Sequence, residues 1–319
     1  MDQSQANGGG SESEQSFSTE GLAPGRGLDV GDVGRDETYI DGEGGEELFV
    51  QSWMPADQEI QGVVALMHGF GEHSSRYQHI AAALARAGWG VQAIDARGHG
   101  RSTGRRGHVE RYADYVDDFD RLIDRIRDQH PHLPLFGLGH SNGGLIVLRH
   151  ALGRRNDVTG YVVTSPMCEL AIDVPKVKST AAKVFSKVWP TLALSTDLDP
   201  SHLSHIEEVV DAYRRDPLVH DVSTTRWFVE ALGAQEDLKE RADTIEHPFL
   251  FLVAGDDKLC DPEATREVYH RLGSPERDME VFPNEYHEIL NEPAWAEHVS
   301  RIVGWMASHA RESGTGKSP

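Results

Sequence analysis

Short apolar runs alternate with amphipathic stretches along most of this 319-residue chain. Runs such as Gly62–Met67 and residues 248–253 are apolar at successive positions, which is typical of strands buried on both faces of a parallel sheet. Between such runs lie segments with apolar residues at helical spacing, for example residues 112–129. This alternation of strand and helix predicts an α/β fold with a mostly parallel central sheet flanked by helices.

The alternation is interrupted at two places. Near the start, residues 37–40 and 48–54 resemble two strands joined by a glycine-rich turn, so the sheet is expected to begin with an antiparallel pair. From about residue 168 to 246 no central-strand pattern occurs, and prolines interrupt a series of helical stretches. We interpret residues 168–246 as a helical cap that is inserted into an α/β core made of residues 36–167 and 247–311.

The two ends of the chain have the composition of disordered segments. Residues 1–35 contain few apolar side chains and include the run Gly8-Gly9-Gly10, which predicts a disordered acidic tail. We expect residues 312–319 to form a flexible C-terminal tail. The net charge is −21, and the first 47 residues hold twelve acids against two arginines. This balance disfavours nucleic acids and anionic bilayers as partners.

The chain shows none of the patterns that direct a protein into or across a membrane. No apolar run approaches the ~18 residues of a transmembrane helix, and no secretory signal pattern is visible, so we expect cytoplasmic residence. The two cysteines form no disulfide framework. We expect at most a transient contact of the cap with a membrane surface, and the sequence predicts no particular oligomeric state.

The motif Gly139-His140-Ser141-Asn142-Gly143 lies between an apolar run and a segment with helical spacing. Gly-x-Ser-x-Gly between a strand and a helix predicts a sharp corner that holds its serine at positive φ, and the two outer glycines avoid clashes there. Ser141 is therefore a candidate nucleophile. It would need a general base, an acid that orients the base, and two N–H donors for an oxyanion.

Candidates for the base and the acid follow downstream in the order nucleophile, acid, histidine, each after a predicted strand. His287 lies in the loop after the last predicted strand. An earlier loop offers Asp256, Asp257 and Asp261, of which Asp261 precedes Pro262 in the manner of a helix N-cap. The residues by themselves leave Asp256 and Asp257 as alternatives for the acid.

The backbone N–H groups of Phe70 and Asn142 are the candidate oxyanion donors, because they lie after the third predicted strand and directly after the nucleophile. Gly69 and Gly71 would let the first of these loops approach a substrate closely. No group of His, Cys and carboxylates shows metal-ligand spacing, and no glycine-rich phosphate motif is present. We therefore expect no metal ion and no other cofactor.

The cap contains two neighbouring apolar stripes at helical spacing. Either they pack the cap onto the core, or they line an apolar channel for an acyl group. The candidates that we carry forward for such a channel are Val184, Phe185, Val188 and Trp189.

Together these motifs resemble those of the monoacylglycerol lipase and lysophospholipase branch of the α/β-hydrolases, whose domain is also labelled serine aminopeptidase S33. The resemblance extends from about residue 41 to residue 309. It rests on His68-Gly69-Phe70-Gly71-Glu72-His73-Ser74, Asp95-Ala96-Arg97-Gly98-His99-Gly100-Arg101-Ser102, Gly139-His140-Ser141, Asp216-Pro217-Leu218 and Tyr286-His287-Glu288. It implies an α/β-hydrolase fold and a serine ester hydrolase that cleaves monoacylglycerol-like or other small acyl esters through an acyl-enzyme intermediate.

The resemblance also assigns individual residues. It implies that Asp257 is the acid, because Asp257-Lys258-Leu259-Cys260-Asp261 matches the family segment Asp-Arg-Leu-Cys-Asp, and that Cys260 lines the pocket. The chain departs from the family at Asn142, where Met is usual, and we expect a polar side chain beside the acyl site as a result. A lysophospholipase or an S33-type peptidase is the alternative function. The intact triad disfavours a non-catalytic binding protein.

Overall fold

The computed structural model describes residues 17–26, 32–153, 155–171 and 176–315, but not the side chains of residues 176–181 and 312–315. The described residues form ten strands and eight α-helices. The strands are β1 (Val33–Asp41), β2 (Glu47–Pro55), β3 (Gly62–Met67), β4 (Trp89–Ile94), β5 (Leu135–His140), β6 (Gly160–Thr164), β7 (Ala193–Ser195), β8 (Val222–Thr224), β9 (Phe249–Ala254) and β10 (Arg277–Phe282). The helices are α1 (Gln78–Arg86), α2 (Ala113–Gln129), α3 (Asn142–Ala151), α4 (Lys176–Val188), α5 (Glu207–Arg215), α6 (Thr225–Arg241), α7 (Pro262–Arg271) and α8 (Trp295–Thr315).

The central sheet has eight strands in the order β1-β2-β4-β3-β5-β6-β9-β10. β1 and β2 are antiparallel, with Ile40 opposite Leu48, and β2 is also antiparallel to β4. All further neighbours from β4 to β10 are parallel. The predicted α/β fold, with a mostly parallel sheet and an antiparallel start, is confirmed.

Strand β3 shows why the central strands are apolar at every position. Val63 and Met67 pack into a layer that contains residues of α2 and α3, whereas Val64 and Leu66 pack into a layer that contains residues of α1 and α8. Successive side chains of a strand point to opposite faces of the sheet, and here helices cover both faces. Burying each Val or Leu side chain contributes about 1.5–3 kcal/mol.

The carboxyl ends of the parallel strands lie at one edge of the sheet, and the loops that follow β3, β5, β9 and β10 therefore meet there. The segment between β6 and β9 contains α4, α5 and α6, and we refer to it as the cap. It also contains a small antiparallel pair, in which Ala193 of β7 lies opposite Thr224 of β8. This pair stands outside the central sheet, in agreement with the missing central-strand pattern.

The N-terminal segment differs in part from the predicted disordered tail of residues 1–35. β1 begins at Val33, and the side chain of Leu22 is buried in the layer that contains α1 and α8. Arg86 of α1 donates hydrogen bonds to the backbone carbonyl oxygens of Ser18 and Glu20. These contacts join segments that are distant in sequence, so composition could not reveal them. Residues 1–16 and 27–31 lie outside the described part of the chain.

The C-terminal helix is also longer than expected. α8 continues to Thr315, past the predicted start of a flexible tail at residue 312. Residues 316–319 lie outside the described residues. A helix that is already packed against the sheet through its first turns can extend by local hydrogen bonding alone, because propagation adds one bond for each residue fixed.

Candidate active site

Ser141 occupies the predicted corner between β5 and α3. It has φ 52° and ψ −117°, and it immediately precedes the first residue of α3. A Cβ atom at Gly139 would lie 2.3 Å from the carbonyl oxygen of Gly143, and one at Gly143 would lie 2.2 Å from that of Met67. Glycine is therefore required at both positions, because the strand and the helix approach too closely for any side chain. The predicted strand, corner and helix are confirmed.

His287 and Asp257 form a buried pair beside this corner. His287 Nδ1 lies 2.7 Å from Asp257 Oδ2, and the two side chains are only 4% and 1% exposed. The other carboxylate oxygen, Oδ1, accepts hydrogen bonds from the backbone N–H groups of Leu259 at 2.8 Å and Cys260 at 3.0 Å. All of these contacts orient Asp257, and Asp257 in turn orients the imidazole ring.

The other two aspartates of this loop have different surroundings. Asp256 has a half-exposed side chain that pairs with Lys258. Asp261 caps α7 by accepting a hydrogen bond from the backbone N–H of Glu263 at 2.9 Å, as its position before proline predicts. Of the two alternatives that the residues left open, Asp257 is the one in contact with His287.

Burial and charge act in opposite directions on this pair. Burial disfavours the charged form of His287, but the charge and hydrogen bond of Asp257, together with the charges of Glu288 and Glu72, outweigh burial and raise the pKa of the ring above its usual value. Burial likewise opposes ionisation of Asp257, but the charge of His287 and hydrogen bonds from His287 and two backbone N–H groups lower the pKa of the carboxyl below its usual range. The arrangement therefore stabilises a positive imidazolium next to a carboxylate.

Ser141 and His287 line the same cavity, together with Cys260. Ser141 Oγ lies 3.9 Å from Cys260 Sγ. Burial, followed by the charge of Asp257, raises the pKa of the Cys260 thiol well above its usual value, so the thiol stays protonated. Possible ligand atoms of Asp257, Cys260 and His287 lie within 4.8 Å of one another. The carboxylate oxygens are already bonded and the thiol is neutral, so the cluster is poorly suited to a metal ion.

The neighbouring His140 is a neutral histidine that supports the ring of His287. The two ring centroids lie 4.7 Å apart. His140 Nδ1 lies 3.1 Å from the backbone carbonyl oxygen of Thr164, to which it donates. Burial, and then the charge of His287, lower the pKa of His140 to about 4. His140 therefore remains uncharged at neutral pH.

The backbone N–H groups of Phe70 and Asn142 have no acceptor among the described hydrogen bonds. Asn142 is the first residue of α3, where helical geometry leaves the N–H group free. Gly69 lines the cavity next to Phe70, and a Cβ atom on Gly69 would lie 3.3 Å from the Cβ atom of Ser141. Both candidate donors thus adjoin the candidate nucleophile.

A buried group of charges braces the Phe70 loop, and sequence reasoning assigned it no role. Glu72 accepts hydrogen bonds from the Gly69 N–H at 2.7 Å and the Tyr77 hydroxyl at 2.6 Å. Arg76 bonds to Glu72 and also makes a two-bond contact with Glu288, at 2.6 and 2.7 Å. Glu288 directly follows His287, so Arg76 joins the loop of the oxyanion donor to the loop of the base.

A cavity of about 800 Å³ extends from Ser141 between the core and the cap. Its apolar wall includes Met167, Leu170, Phe185, Leu192, Leu203 and Trp227. Phe70 also lines it and packs on Trp227 with ring centroids 3.9 Å apart. The volume lies within the range of about 300–1,000 Å³ that is typical of small-molecule sites, and an apolar wall with a few polar groups is typical of such sites too.

The structure corrects three of the four candidates for the acyl channel. Phe185 lies on the cavity wall, whereas Val184, Val188 and Trp189 do not, and these three are 57%, 78% and 58% exposed. α4 presents one side to the cavity and another to solvent. Helical spacing identifies the apolar stripes of a helix but not the direction in which each one faces.

Gly71 differs from its expected role at the substrate. It does not line the cavity, and its φ is +79°. A Cβ atom there would lie 2.6 Å from the carbonyl oxygen of His220 in the cap, and the His220 N–H donates to the carbonyl oxygen of Gly71 at 2.9 Å. Gly71 therefore allows the cap, rather than a substrate, to approach the loop.

Asn142 also departs from expectation, because its side chain is not beside the acyl site. The residue is 1% exposed and is absent from the cavity wall. Asn142 Oδ1 instead accepts a hydrogen bond from the Tyr112 hydroxyl at 2.8 Å. A residue that differs from a family motif shows that the side chain has changed, but it does not show in which direction the new side chain points.

Comparison with known proteins places these features in context. Residues 58–294 match the family model described as serine aminopeptidase, S33. A monoacylglycerol lipase of Mycolicibacterium smegmatis is 34% identical over 86% of this chain and 98% of its own length. A phospholipase of Bacillus subtilis is 31% identical over 75% of this chain and 92% of its own length.

A solved structure shows the same likeness in three dimensions. The crystal structure of a monoacylglycerol lipase from Paleococcus ferrophilus aligns with a TM-score of 0.72 at 33% sequence identity. The alignment covers 87% of this chain and 99% of that one. The likeness therefore includes both the core and the cap.

Proposed function

The chain belongs to the serine aminopeptidase S33 family of α/β-hydrolases, and on that basis we propose that it cleaves monoacylglycerol-like or other small acyl esters with Ser141 as its nucleophile. The observation that carries the proposal is the buried Asp257–His287 pair, whose histidine lines a largely apolar cavity of about 800 Å³ together with Ser141. Serine needs such a pair because its hydroxyl is a weak nucleophile at neutral pH.

In the first half-reaction, Ser141 Oγ attacks the ester carbonyl carbon and transfers its proton to His287 Nε2. Nδ1 of the same ring keeps its proton because it donates to Asp257, so Nε2 is the free acceptor. The N–H groups of Phe70 and Asn142 donate to the oxyanion, and removing one such donor typically lowers kcat about 10²–10³-fold. His287 then protonates the leaving alkoxide, the ester C–O bond breaks, and the acyl group remains on Ser141.

In the second half-reaction, water replaces the alcohol. His287 takes a proton from the water as it attacks the acyl carbon, and the same two N–H groups stabilise the second oxyanion. The bond to Ser141 Oγ then breaks, His287 returns the proton to Ser141, and the acid is released. Asp257 stabilises the imidazolium at each stage without taking the proton itself.

The lining of the cavity favours a neutral alcohol over a phosphorylated one. Its wall is largely apolar, and the carboxylates of Glu72 and Glu288 line it near His287. Carboxylates accept hydrogen bonds from hydroxyl groups but repel phosphate, and Arg76 is already bonded to both of them. A monoacyl ester of glycerol fits this chemistry better than a lysophospholipid. The similarity to a phospholipase keeps the lysophospholipase as the second candidate.

We further infer a transient contact between the cap and a lipid surface. More than half of each side chain is exposed at four apolar positions on α4, directly after it and on β7, two elements that adjoin the cavity: Val184, Val188, Trp189 and Leu194. Exposed apolar side chains in such a group mark interaction surfaces. None of the helices in the described residues has both the length and the apolar character that crossing a bilayer requires.

Labelling with a fluorophosphonate tests the reaction. We expect the folded wild-type protein to be labelled and the Ser141→Ala variant to be inert, because the probe reacts only with an activated serine. Wild-type protein that resists the probe would refute the proposal. Rates with 1-monoacylglycerols and p-nitrophenyl esters of increasing length test the substrate class, and a preference confined to acetate esters would contradict the acyl cavity.

A further inference from the structure

The hydrogen bond between Tyr112 and Asn142 joins the start of the nucleophile helix to the segment that precedes α2. The Tyr112 hydroxyl donates to Asn142 Oδ1 at 2.8 Å, and it lies 3.4 Å from the backbone carbonyl oxygen of the same residue. The two residues are only 3% and 1% exposed. Such a bond is shielded from water, so neither partner is readily replaced by solvent if the other is lost.

Tyr112 is itself held in place from the cap. Its backbone N–H donates to Glu230 Oε2 at 3.0 Å, and Glu230 belongs to the cap helix α6. Its ring packs edge-on against Tyr115 with the centroids 5.6 Å apart. Burial raises the pKa of the Tyr112 hydroxyl well above its usual value, so the group is protonated and can donate a hydrogen bond at neutral pH.

Asn142 is the residue whose placement matters most for an oxyanion. Its N–H belongs to the peptide that directly follows Ser141, a residue that is held at φ 52°. The direction of that N–H depends on the orientation of the peptide plane at the first residue of α3. A buried bond from the Asn142 side chain to a fixed partner restrains this residue in a way that an unbonded side chain would not.

We infer that Tyr112 is a positioning residue for the oxyanion hole. Its hydrogen bond to the Asn142 side chain keeps the Asn142 N–H directed toward the position of the oxyanion. This inference rests on the proposed function, in which that N–H is one of two oxyanion donors. Tyr112 does not line the cavity, so it acts on the reaction only through Asn142. Its effect is therefore confined to the stages in which negative charge develops on the carbonyl oxygen.

The Tyr112→Phe variant removes the hydroxyl and leaves Asn142 Oδ1 buried without this donor. With a short soluble ester we expect kcat to fall about tenfold while KM changes less than twofold, because partial misalignment of a donor costs less than its complete loss. The affinity for an alkyl trifluoromethyl ketone, which adds to the serine and carries the oxyanion, should fall by the same factor. An unchanged kcat, or a lower kcat without weaker ketone binding, would overturn the inference.

Tyr115→Phe is a matched control. Tyr115 is fully buried in α2, and its hydroxyl faces the Trp227 side chain without completing a hydrogen bond in the described structure. This variant loses the same group at a similar depth but keeps the bond to Asn142. We expect its kcat and its ketone affinity to stay within twofold of the wild type, and a loss equal to that of Tyr112→Phe would overturn the specific role of Tyr112.

The double variant Tyr112→Phe/Asn142→Met replaces both partners by apolar groups, so that no buried acceptor is left unpaired. Two changes that act through one shared bond are not additive, because either change alone already removes that bond. We therefore expect the double variant to be about as slow as Tyr112→Phe, and a double variant that returns to the wild-type kcat would show that the unpaired acceptor, and not the lost bond, caused the defect, which would contradict the inference. Fluorophosphonate labelling of the wild type in parallel separates this result from a failure of the proposed function.

Discussion

At the scale of single residues, the two adjacent aspartates after β9 differ in burial and in partners. Asp257 is buried against His287, whereas Asp256 is half-exposed and pairs with a lysine. We predict that Asp257→Asn lowers kcat by about 10⁴-fold, because the amide cannot stabilise the imidazolium and favours the wrong tautomer. Asp256→Asn is the matched control and should stay within twofold of the wild type. The reverse ranking in a steady-state ester assay would assign the acid to Asp256.

The pH dependence of activity belongs to the same scale. His287 must be neutral to accept the serine proton, so kcat/KM should rise with pH as the ring loses its proton. Asp257, with smaller contributions from Glu288 and Glu72, outweighs burial and raises the pKa of His287, so the midpoint should lie above the usual value of about 6.5. Asp257→Asn removes the main contribution that opposes burial, so the midpoint should fall below that of the wild type. Profiles of kcat/KM from about pH 4 to about pH 9 measure both midpoints, and an upward shift in the variant would contradict this origin.

At the scale of elements, different residues on and next to α4 face the cavity and the solvent. Phe185 lies on the cavity wall, whereas Val188 and Trp189 face solvent. We predict that Val188→Ser/Trp189→Ser weakens binding to vesicles of neutral lipid and leaves kcat/KM for a short soluble ester within twofold. Phe185→Ala should instead change the preference for acyl length. Co-sedimentation with vesicles and a series of esters measure the two effects, and unchanged vesicle binding in the double variant would exclude this surface.

At the scale of the whole molecule, Arg76 connects the two parts of the core that the cap interrupts. It bonds to Glu72 nearby and to Glu288, which lies 212 positions further along the chain. All three side chains are at least nine-tenths buried. Burial opposes ionisation of Glu72, but the charge of Arg76, together with smaller contributions from neighbouring groups, outweighs burial and lowers the pKa of the carboxyl. The pairing with Arg76 thus keeps the Glu72 carboxylate charged although it is buried.

We predict that Arg76→Met lowers the free energy of unfolding by about 3–5 kcal/mol at neutral pH, because it leaves two buried carboxylates without a counter-charge. Protonation of Glu72, whose lowered pKa depends on Arg76, relieves part of the penalty, so the difference from the wild type should shrink as the pH falls. Denaturant unfolding at several pH values measures this. Arg101→Met is the control, since Arg101 pairs with Glu37 at the surface and its loss should cost less than about 1 kcal/mol. A difference that grows in acid would contradict the electrostatic origin.

The features that depend on a residue and its near neighbours could be predicted from the sequence. Apolar runs predicted the central strands, and the outer glycines predicted the corner at Ser141. An aspartate followed by a proline predicted the N-cap residue of α7. The order of nucleophile, acid and base also predicted which loops would meet, since parallel strands place their carboxyl ends at one edge. Periodicity and steric exclusion act between residues that are close in sequence, and their effects can therefore be predicted from a single amino-acid sequence.

Other features were decided only by the tertiary structure. The direction of the α4 stripes, the turn of Asn142 toward Tyr112 and the burial of Leu22 all depend on partners that are distant in sequence. The buried contact from Arg76 to Glu288 has the same origin. Whether a side chain faces a cavity, a partner or water depends on what the rest of the chain packs against it. The sequence by itself thus determined the elements of this hydrolase and the order of its candidate triad, and packing determined which neighbours hold that triad in place.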